Sequence, residues 1–285
     1  MLVKGNFWTS IPLLYSIGHF YSPIVNPKEA RQRAAQLWKN NNDMGGIDLQ
    51  EDDQLALLEL LGMHKRSIDY PIERSKTTLG YYYSNDQFPV LDAEFLHVLL
   101  CHFRPRTMIE VGCGFSSLIT ANVNEHILSS SIDFTCIEPY PRKFLTDGVP
   151  GITRLVQKKV EDVELSFFDR LNDGDILFID SSHVSKTGSD VNYLFFDVLP
   201  RLKKGVIVHI HDIFFPDEYP KEWVVDQGRN WNEQYILRAF LQYNTNWKVM
   251  WASHFMGTRH RNAVQNVFPR YPKLGGGGSF WIKRI

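Results

Sequence analysis

The chain has 285 residues, 44% hydrophobic and 22% charged, with a formal net charge of -1. That is enough apolar material for one large domain with a smaller attachment. The balanced charge excludes a broad nucleic-acid footprint, which needs a clustered excess of lysine and arginine.

From the N-terminus, Lys4 precedes a short apolar run, Ile11 to Ile17. Pro12 and Ser16 interrupt it and no small-residue cleavage site follows cleanly, so a signal peptide is not expected. No stretch reaches the roughly 20 apolar residues of a membrane span. The expectation is a cytoplasmic protein with no membrane partner. Residues 1–80 carry two predicted helices, Pro27–Lys39 and Asp52–Leu61, around a polar loop, Asn40–Gly46. Pro27 suits an early helix position, and the leucines between Leu55 and Leu61 supply an apolar stripe. This region reads as a helical N-terminal cap.

Residues 81–285 read as a second domain in which strands and helices alternate. A helix, Leu91–Phe103, stops before Pro105. Predicted strands follow at Thr107–Val111, Ile132–Glu138, Ile152–Gln157, Ile176–Asp180 and Val206–His211. The last two are Trp247–Ala252 and Phe280–Lys283. Helices are predicted between them, at Ser116–Leu128, Val163–Leu171, Ser189–Leu202 and Asn232–Tyr243. Short apolar β-rich runs separated by helices imply a mostly parallel seven-stranded sheet covered on both faces, an α/β, Rossmann-like, doubly wound fold. Gly275–Gly278 reads as a tight turn before the last strand. Cys101, Cys113 and Cys136 stand at no paired spacing, which gives neither a disulfide framework nor a zinc motif.

Four motifs carry chemistry. The first is Glu110-Val111-Gly112-Cys113-Gly114-Phe115-Ser116-Ser117, between a strand and a helix, where glycines let the backbone pass close to a ligand. A dinucleotide fingerprint wants a third glycine where Ser117 stands, and Glu110 suits a cationic or amine-bearing ligand better than a diphosphate. The second is Glu138, at the end of the second strand, where a carboxylate can accept both hydroxyl hydrogens of a ribose. The third and fourth are Asp180-Ser181-Ser182-His183 and His209-Ile210-His211-Asp212, at the ends of strands four and five. Adjacent parallel strand ends meet at one rim, so Asp180, His183, His211 and Asp212 are expected to converge. Two readings stand: Asp180, His211 and Asp212 hold a divalent metal, or Asp180 and His183 work without one, His183 as a general base. His209 is expected in the core.

The stretch from Tyr81 to Ala252 resembles class I S-adenosylmethionine-dependent methyltransferases, on Glu-x-Gly-x-Gly at Glu110–Gly114 and Asp-Ser-Ser-His at Asp180–His183. The resemblance is to small-molecule O-methyltransferases, of the sugar, macrolide and caffeoyl-CoA type. It implies S-adenosylmethionine held by Glu110, Gly112, Gly114, Ser116, Ser117, Glu138 and Asp180. It also implies a small-molecule acceptor, with His183 and Asp180 as catalytic residues and magnesium or manganese as the optional metal. His211 departs from the paired carboxylates of the metal-dependent members. A cephalosporin-hydroxylase-like branch shares this framework, and a nicotinamide-dependent oxidoreductase is the alternative from outside the family. A homo-oligomer is left open by the sequence. The aromatics after strand five and at Tyr81–Tyr83 are expected to wall the acceptor pocket.

Overall fold

The computed structural model describes residues 14–39, 43–75 and 79–285. Lys4, Pro12 and part of the Ile11–Ile17 run lie outside them, as do Asn40 to Asn42 of the expected polar loop. The chain forms two compact units, one from residues 1–40 with 217–230 and the other from 41–216 with 231–285.

The smaller unit has short helices at Pro27–Gln32, Ala34–Leu37 and Lys221–Val225. Asn26 caps the first, its side-chain oxygen accepting from the amides of Lys28 and Glu29, with Pro27 where its missing N–H costs nothing. The helix expected over Pro27–Lys39 therefore exists as two pieces, broken at Arg33, which leaves helical geometry. Arg31 joins the two chain segments through Asp226 and the Val225 carbonyl, and the Trp38 indole N–H donates to the Tyr219 carbonyl.

The larger unit is built on a seven-stranded sheet: β1 Thr107–Val111, β2 Asp133–Ile137, β3 Arg154–Val156, β4 Ile176–Ile179, β5 Ile207–Ile210, β6 Trp247–Ala252 and β7 Phe280–Arg284. Their order is β3-β2-β1-β4-β5-β7-β6. Strands β1 to β5 pair in parallel, and β7 runs antiparallel between β5 and β6. Strands β4 and β5 are buried at every position, as apolar runs covered on both faces must be. The sheet is wound outward from β1 and β4, so a switch point lies between them, where ligands sit above the carboxyl ends of such strands.

Helix Val90–Phe103 is buried on every side from Val90 to Cys101, and most of its residues are accordingly apolar. Its polar side chains are each engaged. Asp92 accepts from the amides of Gly278 and Ser279, Glu94 pairs with Arg270, and His97 lies between Ser67 and Tyr70. Residues 41–80, which the sequence places with the cap, share this unit's core through Leu58, Leu61, Ile68 and Tyr70. Two further expectations are modified. Segment Val163–Leu171 is a tighter, three-residue-per-turn helix over Leu165–Arg170. The helix expected over Ser189–Leu202 starts as α, widens to π over Tyr193–Val198 and tightens again at Leu199–Arg201. Pro200, which has no amide hydrogen and crowds the preceding turn, explains the change of pitch at its end. No helix among the described residues is long and apolar enough to cross a membrane.

Candidate active site

The turn after β1 is fixed by contacts that leave no choice of residue at Gly112. Its φ is +80°, and a Cβ there would stand 1.7 Å from the Asp180 carbonyl oxygen. The Gly112 amide donates to the Ile137 carbonyl at 3.0 Å and the Asp180 amide to the Val111 carbonyl at 2.9 Å. The backbones of β1, β2 and β4 are thus laced together at their carboxyl ends. The Gly114 amide donates to Ser117 Oγ at 3.0 Å, so Ser117 closes the turn on itself. Glu110 lies behind this turn rather than on its outer wall. It is fully buried, accepts from Ser116 Oγ at 2.5 Å, and keeps its other oxygen without a partner. Burial raises its pKa to about 8, against the partial relief of the Ser116 and Ser117 hydroxyls.

Glu138 is oriented by backbone. One carboxylate oxygen accepts from the Cys113 amide at 3.2 Å and the other from the Tyr140 amide at 2.8 Å. Each oxygen retains a lone pair, and the residue lines two adjoining clefts of about 250 and 460 Å³. Gly112, Tyr140 and Asp180 line both as well. Gly114, Ser116, Gln87 and Arg142 stand around the first, with the Arg142 guanidinium on Gln87 at 2.7 Å. Val160, Glu161 and Lys159 stand around the second.

Beside Asp180 the ends of β4 and β5 bring together the acidic and imidazole groups that topology predicts. His183 Nε2 lies 3.3 Å from Asp180 and 3.4 Å from Asp212, while its Nδ1 meets Glu233 at 2.9 Å. His211 faces the same aspartates through Nδ1, at 3.4 and 3.7 Å, and its Nε2 meets Asp92 at 3.1 Å. Two carboxylate–imidazole pairs therefore converge on one aspartate pair. His183 and Asp212 both occupy the left-handed region, at φ of +60° and +58°. That strain is uncommon for residues with side chains and clusters at functional sites.

Electrostatics follow from burial and pairing. For His183, burial alone would lower the pKa, but hydrogen bonds to Asp180 and Glu233, with the charges of Glu233 and Asp212, push it up to about 10. The same opposition, won by Asp212, Asp180 and Asp92, lifts His211 well above the usual imidazole range. Burial disfavours charge on Asp180, yet His211 and His183 hold its carboxyl below the ordinary carboxylate range. Asp212 is raised, burial prevailing over the two imidazoles. His209, stacked on Phe178 and bonded to Ser279 Oγ, is a core residue, and burial keeps it neutral.

The donor set suits a divalent cation. Ligands at about 2.1 Å in octahedral geometry lie about 3 Å from one another, close to the spacings between the imidazole nitrogens and the aspartates. Asp180, Asp212 and His183 present ligand atoms within 4.8 Å of one another. The set named from sequence put His211 in the place of His183, and both imidazoles face the pair.

Other aromatics settle differently from expectation. Tyr81 and Tyr83 are buried, with hydroxyls on the Phe88 carbonyl and on Glu94, and Phe215 packs edge-on against Phe280. They form core, because each ring finds apolar neighbours inside the fold. Trp231 does reach the site, its ring 4.3 Å from that of His183. Glu233, Asp92, Gln87 and Arg142 escaped the sequence reading, since no local motif marks them.

The doubly wound sheet, the glycine turn after β1 and the backbone-held carboxylate after β2 suit a nucleoside-bearing ligand above the ends of β1 and β4. Residues 109–213 match the model of a family described as a methyltransferase domain. An uncharacterized protein of Archaeoglobus fulgidus is 39% identical over 166 residues, 56% of this chain and 75% of that protein. Over residues 109–213, which run from β1 past the end of β5, the chain is similar to that methyltransferase family. Among solved structures, the O-methyltransferase TomG of Streptomyces achromogenes, in complex with S-adenosylmethionine, is 15% identical with a TM-score of 0.41, over 90% of this chain and 96% of that one. A Podospora anserina methyltransferase, PaMTH1, bound to S-adenosylhomocysteine, is 13% identical with a TM-score of 0.41, over 90% and 94%.

Proposed function

We propose that the chain is an S-adenosylmethionine-dependent methyltransferase that transfers the methyl group to a hydroxyl of a small molecule. The glycine turn and Ser116 border the methionine end of the donor, Glu138 takes the ribose hydroxyls, and Glu110 and Ser117 hold the turn from behind. The acceptor oxygen stands at the Asp180–His183–Asp212 cluster. Methyl transfer is an in-line displacement, so the protein has to align two molecules and remove one proton. His183 Nε2 is the proton acceptor in this reading, because it is the more accessible imidazole, 7% against 3% exposed at the side chain. A divalent cation held by Asp180 and Asp212, with the His211 imidazole, would lower the acceptor's pKa and weaken the aspartates' hold on the His183 proton. Manganese suits a mixed oxygen and nitrogen set better than magnesium.

The observation that carries the proposal is the approach of Asp180 to both places: it lines the two clefts that Glu138 lines and lies 3.3 Å from His183. The test is incubation of the full chain with methyl-labelled S-adenosylmethionine and a panel of hydroxylated sugars, polyketides and catechols. Label is expected on a hydroxyl, with His183→Ala losing turnover while S-adenosylhomocysteine affinity stays within threefold. Label appearing only on amines or on polypeptide overturns the assignment of the acceptor.

A further inference from the structure

We infer that Glu233 is a positioning residue, which holds the imidazole of His183 with Nε2 directed at the aspartate pair. The inference rests on the proposed role of His183. Glu233 is fully buried, at the first turn of helix Glu233–Leu241, and a carboxylate is buried at high cost unless it is paired. Its partner is the His183 ring, through Nδ1 at 2.9 Å. The ring is gripped by more than this one bond. The amides of Asn232 and Glu233 both donate to the His183 carbonyl, at 3.0 and 3.2 Å. The Asn232 side chain accepts from the Ser185 amide at 2.6 Å and donates to the Ser185 carbonyl at 3.2 Å. Trp231 covers the ring. Segment 231–233 therefore fixes the backbone of the loop after β4 and the direction of the imidazole it carries. A residue held in the left-handed region has no helix or strand of its own to orient its side chain, so the direction must come from outside. A carboxylate on the far nitrogen of a working imidazole fixes which nitrogen faces the reaction.

The test is the ring N–H spectrum of the full chain labelled with 15N-histidine, with the His183 signals assigned by their loss in His183→Gln. The exchange-protected Nδ1–H signal of His183 is expected in the parent protein. It should be lost in Glu233→Ala and retained in Glu233→Gln, whose side-chain oxygen still accepts from Nδ1. S-adenosylhomocysteine affinity should stay within threefold in both variants. A signal that persists in Glu233→Ala overturns the inference. So does a joint fall of affinity and melting temperature in both variants, which marks Glu233 as merely structural. Failure of the parent protein to bind S-adenosylhomocysteine would instead strike the donor reading, and the spectra of the free chain would still decide the role of Glu233.

Discussion

Gly112 and His183 carry the sharpest consequences at the scale of single residues. A methyl group at Gly112 meets a carbonyl oxygen, with no flexible neighbour to yield, in a backbone region that side chains avoid. Gly112→Ala is expected to cost about 2 kcal/mol or more of stability and to abolish donor binding, as read by denaturant melts and calorimetry. His183 has a folded pKa of about 10 against 6.5 in the unfolded chain. Its contribution to stability is therefore complete below pH 6.5 and fades as pH rises through 10. The same shift leaves about one imidazole in a thousand free at pH 7. In chelator-treated enzyme the initial rate should rise about tenfold per pH unit from 7 to 9, and manganese should flatten that profile. A rate independent of pH without metal would remove His183 from the role of base. Gly112, Glu138, Asp180 and His183 were legible in the sequence because each sits at the end of a strand, where spacing alone tells which rim it reaches. Glu233 and Asp92 were not, because they meet His183 and His211 across 50 and 119 residues of chain.

Among the elements, helix Val90–Phe103 ties the site to the reversed strand β7. Asp92 receives two backbone amides from the segment just before β7 and one imidazole from the end of β5. Of the glycines at 275–278, the last two have a packing reason: a Cβ on Gly277 would lie 2.3 Å from Asp92 Oδ1 and one on Gly278 3.0 Å from Asp212 Cα, so this backbone must approach bare. Asp92→Ala leaves two amides and an imidazole buried without their acceptor, and should destabilise the protein by about 3–5 kcal/mol. Urea unfolding measures this directly, and a loss under 1 kcal/mol would mean that water replaces the carboxylate. The strands were readable to within two residues, because apolar β-rich runs between turn residues have few alternatives. Helices at Ser253–Arg259 and Arg261–Val267 were missed, since their mixed polar sequence shows no clear apolar stripe and tertiary contacts decide them.

For the whole molecule, the division between parts was the least legible feature. The change of pattern near residue 80 marks where alternation of strands begins, whereas compactness is set by which apolar side chains find a common core. Leu58, Leu61 and Tyr70 find it beneath the sheet's flanking helices, so residues 41–80 join the larger unit. The smaller unit draws on residues 217–230, nearly 180 positions from its other half, a pairing no local signal reports. All the groups assigned here to donor and acceptor belong to the larger unit, and the central claim is that its glycine turn and Glu138 close on an adenosyl ligand. Calorimetric titration of the full chain with S-adenosylhomocysteine, beside Glu138→Ala, tests it most directly. Binding in the micromolar range is expected, weakened about 10- to 100-fold in the variant by loss of hydrogen bonds to a charged acceptor. No heat at millimolar ligand, or equal affinity in the two proteins, would contradict it.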